Sequence, residues 1–129
     1  MAIELKWLVW SILLGLAHVL IAATFSTQQR GLGWNAGNRD GEVKPLTGAA
    51  ARATRANFNF LETFPFYAAA VLIVVLTSAS TARTALGAEV YFWARLVYLP
   101  VYIVGIPYLR TLVWAVGFVG LLMVLGALW

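Results

Sequence analysis

The residues able to do chemistry fall into three short sets. Arg52, Arg55, Asn59 and Glu62 are spaced i, i+3, i+7, i+10, a spacing that gathers them on one face of a helix near its start. Asn57 lies just off that stripe. Tyr91, Arg95, Tyr98 and Tyr102 repeat at i, i+4, i+7, i+11, again a single helix face. Arg110 and Thr111 follow Pro107, a residue suited to the first turn of a helix because its missing N–H costs nothing there. A helix start is already electropositive, so an arginine there is mildly unfavourable unless an anion sits close by. Arg110 opens one helix and Arg52 and Arg55 open another. Together they describe a pocket for an anionic ligand, with Glu62 and the asparagines receiving a cationic or amide portion. The inferred ligand is small, zwitterionic and more negative than positive.

Each residue also has a plainer reading. Arg55 and Glu62 can pair with each other, the tyrosines can form an interfacial aromatic belt, and Arg52 can reach out to headgroups. His18 has no polar neighbour at helical spacing and reads as a hydrogen-bonded packing residue. Gly117, Gly120 and Gly126 read as close-packing positions between helices. The two polar stripes and the basic helix start, all at one depth, favour a site.

The elements that carry these residues follow from composition. The chain has 129 residues, 62% hydrophobic and only 11% charged, against about 25% charged in a soluble domain. Disorder is excluded too, because so apolar a chain cannot stay solvated. The expected fold is an all-α integral membrane protein, a single domain over 1–129 folded as a four-transmembrane-helix bundle. The approximate spans are 5–25, 49–77, 88–105 and 108–129, about 20 residues being enough for one crossing. The first apolar run, Trp7 to Phe25, is too long for a signal peptide and reads as a retained span. Ser26 to Gly48 is a polar loop, Thr77 to Gly87 a turn, and Thr47 an N-cap.

The formal net charge is +4, and in so apolar a chain it reads as a topology signal rather than a nucleic-acid footprint. Six of the nine basic residues, Arg30, Arg39, Lys44, Arg52, Arg55 and Arg110, gather at one face. The positive-inside rule then puts the first loop in the cytoplasm and both termini outside it. With no cysteine, thiolate metal sites and a protein-borne thiol nucleophile are excluded, and no metal site is expected.

The segment Arg52-Ala-Thr-Arg55-Ala-Asn57-Phe-Asn59-Phe-Leu-Glu62-Thr-Phe-Pro65 resembles the Arg-Ala-x-x-Asn-x-x-Glu signature that opens the second span of the MAPEG family, the membrane-associated proteins of eicosanoid and glutathione metabolism. A second match is Ala94-Arg95-Leu-Val-Tyr98-Leu-Pro-Val-Tyr102, leading to Leu109-Arg110-Thr111 and Trp114. Gly37-Asn38-Arg39-Asp40 is similar to small bacterial members, which places the chain in a bacterial inner membrane. Phe58 and Thr63 stand where some eukaryotic members have Arg and Tyr.

The resemblance implies a homotrimer with glutathione bound between neighbouring subunits near the cytoplasmic face. It implies that Arg55 holds a glutathione carboxylate and that Asn59 and Glu62, with Asn57 beside them, hold the γ-glutamyl end. Arg95, Tyr98 and Tyr102 would line the pocket, and Arg30 would reach a carboxylate. Arg110 would be the catalytic residue, stabilising the thiolate, with Thr111 a weaker hydroxyl donor. The expected function is a glutathione-dependent transferase or peroxidase acting on a lipophilic electrophile that enters from the membrane lipid. The alternatives are a catalytically silent scaffold or lipid-binding protein of the same fold, and a small multidrug-type transporter. The transporter is disfavoured because the only acid of the first helix, Glu4, lies at its very end.

Overall fold

A computed structural model of the chain describes residues 1–129. It is helical throughout: α1 (Ile3–Arg30), a short α2 (Leu32–Ala36), α3 (Gly48–Leu76), α4 (Ala82–Val104) and α5 (Pro107–Leu125), with a final 3-10 turn, Gly126–Leu128. The long helices run up and down, α1 parallel to α4 and antiparallel to α3 and α5. Three of them, α1, α3 and α5 with its terminal turn, are long and apolar enough to cross a membrane. The fourth, α4, has 23 residues, enough length for about 30 Å of hydrocarbon, but it carries Arg83, Glu89 and Arg95.

Burial is inverted relative to a soluble protein. Only 28 of 129 residues are buried, while Leu20, Leu76, Phe66 and Leu112 are among the many exposed apolar side chains. The interior is aromatic and partly polar. One core cluster joins Leu8, Tyr67, Val71, Val74, Tyr91, Leu121 and Val124. The other joins Leu14, Ala56, Phe60, Phe92, Tyr98, Leu99 and Tyr102, directly beneath the site. Tyr91, Tyr98 and Tyr102 are therefore core residues and form no interfacial belt.

Small residues set the helix spacing. A Cβ on Gly120 would lie 2.7 Å from both the Gly87 carbonyl oxygen and the Tyr91 nitrogen, so α4 and α5 touch backbone to backbone. At Gly15 of α1 the neighbour is a side chain: a Cβ there would lie 2.9 Å from the Phe60 ring. Gly126 meets open space, so the packing role expected for it does not hold.

Two boundaries differ from the sequence expectation. The turn between α3 and α4 is short, and α4 starts at Ala82, because Thr81 and Thr84 cap each other reciprocally. The polar loop begins later, since α1 continues through Ser26 to Arg30 and ends at Gly31 with φ +90°. It also contains α2, fastened to α1 by Asn35 Nδ2 donating to Thr27 Oγ1 at 2.7 Å. Thr47 does precede α3, but its side chain makes no capping bond. Gln29 acts instead, accepting from the Thr47 N–H at 3.0 Å and donating to its carbonyl at 2.9 Å.

At the opposite end of the bundle the buried Glu4 carboxylate accepts from the Ser80 hydroxyl and, at 2.7 Å, from Thr84 Oγ1. This joins the start of α1 to the start of α4. His18 is buried and stacks on Phe60 at 4.8 Å, with neither ring nitrogen hydrogen-bonded in the chain. It packs as expected, but the hydrogen bond expected for it is absent.

Candidate functional site

The site forms where α4 ends and α5 begins, beside the start of α3. Val104 is followed by Gly105, left-handed at φ +91°, ψ +44°, and Pro107 opens α5 after one further residue. That tight link turns the chain back on itself and brings the first turn of α5 against the first turns of α3. Gly105 leaves room for Arg52: a Cβ there would sit 3.3 Å from the Arg52 Nε, and few other residues tolerate that φ. Arg52 in turn donates from Nε to the Ile103 carbonyl at 2.7 Å, satisfying one of the orphan acceptors at the end of α4.

The resulting cavity has a volume of about 330 Å³ and is lined by Arg52, Arg55, Tyr102, Gly105, Ile106, Pro107 and Arg110. Three guanidinium groups face it and no carboxylate does. Tyr102 stands between two of them. Arg55 donates from Nε to the Tyr102 hydroxyl at 3.2 Å, and the Arg110 guanidinium lies 4.7 Å from the Tyr102 ring centre. The negative face of the ring eases the crowding of like charges. A second, smaller cavity of about 170 Å³ adjoins, lined by Asn59, Tyr98, Arg110, Thr111 and Trp114. Arg110 belongs to both and so connects them.

Arg95 stands behind this second cavity, within the bundle. It is 1% exposed, its guanidinium 4.1 Å from the Tyr98 ring centre and 5.5 Å from that of Phe60. It donates from Nη1 to Asn59 Oδ1 at 2.8 Å, which aims the Asn59 amide group. Its Nε and Nη2 have no partner in the chain. Arg95 is thus a positioning residue here.

Of the sequence-predicted residues, the fold brings together Arg55, Asn59, Tyr98, Tyr102 and Arg110, with Arg95 behind them. It leaves three apart. Arg30 is at the same end of the bundle but donates from Nε to the Lys44 carbonyl at 2.7 Å, holding the loop. Asn57, two residues and about 200° of helical rotation beyond Arg55, lines neither cavity, and its Oδ1 is buried without a partner. Glu62 stands about 10 Å beyond Arg55 along α3, on an exposed apolar groove between α3 and α5, with Phe66, Ile73, Phe118 and Leu122. Glu62 therefore makes no pair with Arg55 inside the chain.

Four lining positions, Gly105, Ile106, Pro107 and Trp114, had been given no binding role, while Arg52 had been placed in the anion pocket without a glutathione role of its own. Arg52 carried a usable signal, since it lies on the same stripe as Arg55 and Asn59. Gly105 signalled only a break between helices.

Chemically, the paired cavities can hold a small polyanion near the bundle end, with one guanidinium shared by an anionic compartment and a compartment bearing amide, phenol and hydroxyl groups. Over residues 7–129 the chain matches the family model described as MAPEG family, and it belongs to that family. No curated protein matches it.

Proposed function

We propose that this member of the MAPEG family is a glutathione-dependent membrane transferase or peroxidase acting on a lipophilic electrophile. The observation that carries the reading is the set of three guanidiniums, from Arg52, Arg55 and Arg110, around one cavity that no carboxylate lines. Such a donor set fits glutathione, which has two carboxylates and one ammonium. Arginine also suits carboxylate recognition through its planar fork of donors. Bound there, glutathione would supply the thiol nucleophile that this cysteine-free chain lacks.

Each residue has a role in this reading. Arg52 and Arg55 hold carboxylates, Arg52 kept in place by the Ile103 carbonyl and Arg55 by the Tyr102 hydroxyl. Asn59, aimed by Arg95, presents its amide group from the second cavity. Arg110, shared by both cavities, stabilises negative charge on the sulfur, as a neighbouring cation does for protein thiols. Thr111 offers a hydroxyl in the same compartment. The thiolate is the reactive form, so a cation at this point both lowers the thiol pKa and fixes where the nucleophile stands.

The site is completed in a homotrimer. Arg55 and Glu62 are exposed on the single chain, and a neighbouring copy would cover them, bringing Glu62 to a ligand ammonium. All four long helices span a bacterial inner membrane, α4 with Arg95 turned inward and Arg83 near its outer end. The arginine-rich end lies in the cytoplasm, as the six basic residues at that face support. Glutathione then enters from the aqueous side and the electrophile from the lipid.

The test is a glutathione titration of the purified protein, read by thermal midpoint and thiolate absorbance together. A ligand that binds only the folded state raises the midpoint with concentration, and both signals are expected to rise. A midpoint that stays fixed at saturating glutathione would leave the silent-scaffold reading in its place.

A further inference from the structure

At the end of the bundle away from the arginine cavity, the parallel N-terminal halves of α1 and α4 leave an open aromatic groove. It is lined by Lys6, Trp7, Trp10, Phe92, Trp93 and Leu96, with a volume of about 370 Å³, within the usual range of roughly 300–1,000 Å³ for ligand sites. Half-buried Trp7 forms its floor, 5.4 Å from Phe92 and 6.0 Å from Trp93 between ring centres. Trp10 and Trp93, 48% and 49% exposed, form its open walls. All the lining is apolar except Lys6, whose Nζ stands 5.2 Å from the Trp7 ring centre.

The polar end of the groove is fixed by the fold. Glu4 is bound to Ser80 and Thr84, so the starts of α1 and α4 are held level. Lys6 and Glu89 follow within two turns of those starts. Glu89 lies one turn before Trp93 on the same side of α4. The groove thus has a cation in its lining, Lys6, an aromatic, aliphatic channel leading inward, and Glu89 one helical turn outside it on the α4 stripe of Phe92, Trp93 and Leu96.

That arrangement selects among occupants. A second copy of the chain offers few anions for Lys6 at this level. Of its five acids, Glu4 is buried and bonded, Asp40 and Glu42 are in the loop at the far end, and Glu62 is near the arginine site. Glu89 alone remains. A membrane phospholipid offers a phosphate at headgroup depth, attached to an acyl chain that an aromatic channel accepts. Tryptophan is also enriched at that depth.

We propose that this groove is a binding site for a glycerophospholipid whose head carries a phosphate and a primary ammonium. Lys6 holds the phosphate, Glu89 attracts the ammonium, and one acyl chain lies along Trp10, Trp93 and Leu96. The site is independent of the glutathione reading.

The experiment uses the full chain in nonionic detergent, with native mass spectrometry and thermal midpoints in parallel. The probes are phosphatidylethanolamine, phosphatidylcholine, phosphatidylglycerol and diacylglycerol. Phosphatidylethanolamine is expected to be retained best and to raise the midpoint most, and diacylglycerol least. Lys6→Gln should weaken phosphatidylethanolamine retention about tenfold, the effect of losing one charge-assisted contact. Glu89→Gln should erase the preference for ethanolamine over glycerol and choline heads, and Trp93→Ala should weaken every phospholipid alike. Lipid-free midpoints and circular dichroism equal to those of the unsubstituted chain establish that the variants are folded. Equal retention of all four lipids, or retention unaffected by Lys6→Gln, would overturn the proposal. So would a change of oligomeric mass in groove variants with lipid retention unaltered, which would assign the groove to a second copy.

Discussion

The Arg110 guanidinium stands 4.7 Å from the centre of the Tyr102 ring, whose hydroxyl accepts a 3.2 Å hydrogen bond from Arg55. One tyrosine therefore spaces two like charges that arrive from different helices. Arg55 is also within reach of the same ring, its guanidinium 5.9 Å from the centre. Tyr102 itself is fixed because it is buried at the end of α4 within the second core cluster.

This relationship separates the ring from the hydroxyl experimentally. Tyr102→Phe keeps the face under Arg110 and removes the acceptor for Arg55. The loss of about 1–1.5 kcal/mol for one hydrogen bond should weaken glutathione roughly five- to tenfold. Tyr102→Ala removes both supports and should weaken it further, as measured by concentration-dependent thermal shift.

Arg110→Ala should abolish the rise in thiolate absorbance on adding glutathione, while Arg52 and Arg55 still give a midpoint shift. A cation stabilises the charged form of a thiol, so the intact protein should form thiolate at lower pH than free glutathione does. The variant should lose that displacement. Arg110→Lys should restore only part, because a point charge replaces a forked donor. Undiminished thiolate formation in Arg110→Ala would remove the residue from the mechanism.

The α4–α5 contact predicts a stability effect with an internal control. Gly120→Ala puts a methyl group 2.7 Å from two backbone atoms that cannot rotate aside, at a cost of about 1–3 kcal/mol. Gly126→Ala meets open space and should leave the thermal midpoint unchanged or slightly raised.

Glu4→Ala removes the acceptor that joins the Ser80 and Thr84 hydroxyls to α1, leaving Thr84 only the Thr81 carbonyl and Ser80 only solvent, which should cost about 1 kcal/mol. Glu4→Gln keeps an acceptor and should lose less. Glutathione affinity should be the same in both, because Glu4 and the arginine cavity lie at opposite ends of the bundle. A large affinity change would contradict that separation.

Much of the site was legible because helical spacing is local. The i, i+3, i+7 pattern placed Arg52, Arg55 and Asn59 on one face, and the spacing of Arg95, Tyr98 and Tyr102 placed them on another. Gly105 and Pro107 were the usual stop and start residues at one link, whereas the cap at Thr81 lay inside the stretch read as a turn and was missed. What spacing cannot report is how far along a stripe the site extends. Glu62 stands only about 20° around the helix from Arg55 but about 10 Å further along it, past both cavities and level with the outer groove. The position of Arg30 along the chain likewise said nothing of the loop that folds back to offer it the Lys44 carbonyl.

By itself the sequence determined the helical class, the apolar exterior and the side of the bundle at which positive charge collects. Those properties are sums over local composition and period, and they need no knowledge of which helix neighbours which. The tertiary structure decided that Tyr102 separates Arg55 from Arg110, that Arg95 is buried behind Asn59, and that Glu4 joins two helix starts. These are contacts between residues 36 to 80 positions apart, and only the antiparallel register of α3 and α4 and the parallel register of α1 and α4 bring such residues within hydrogen-bonding range.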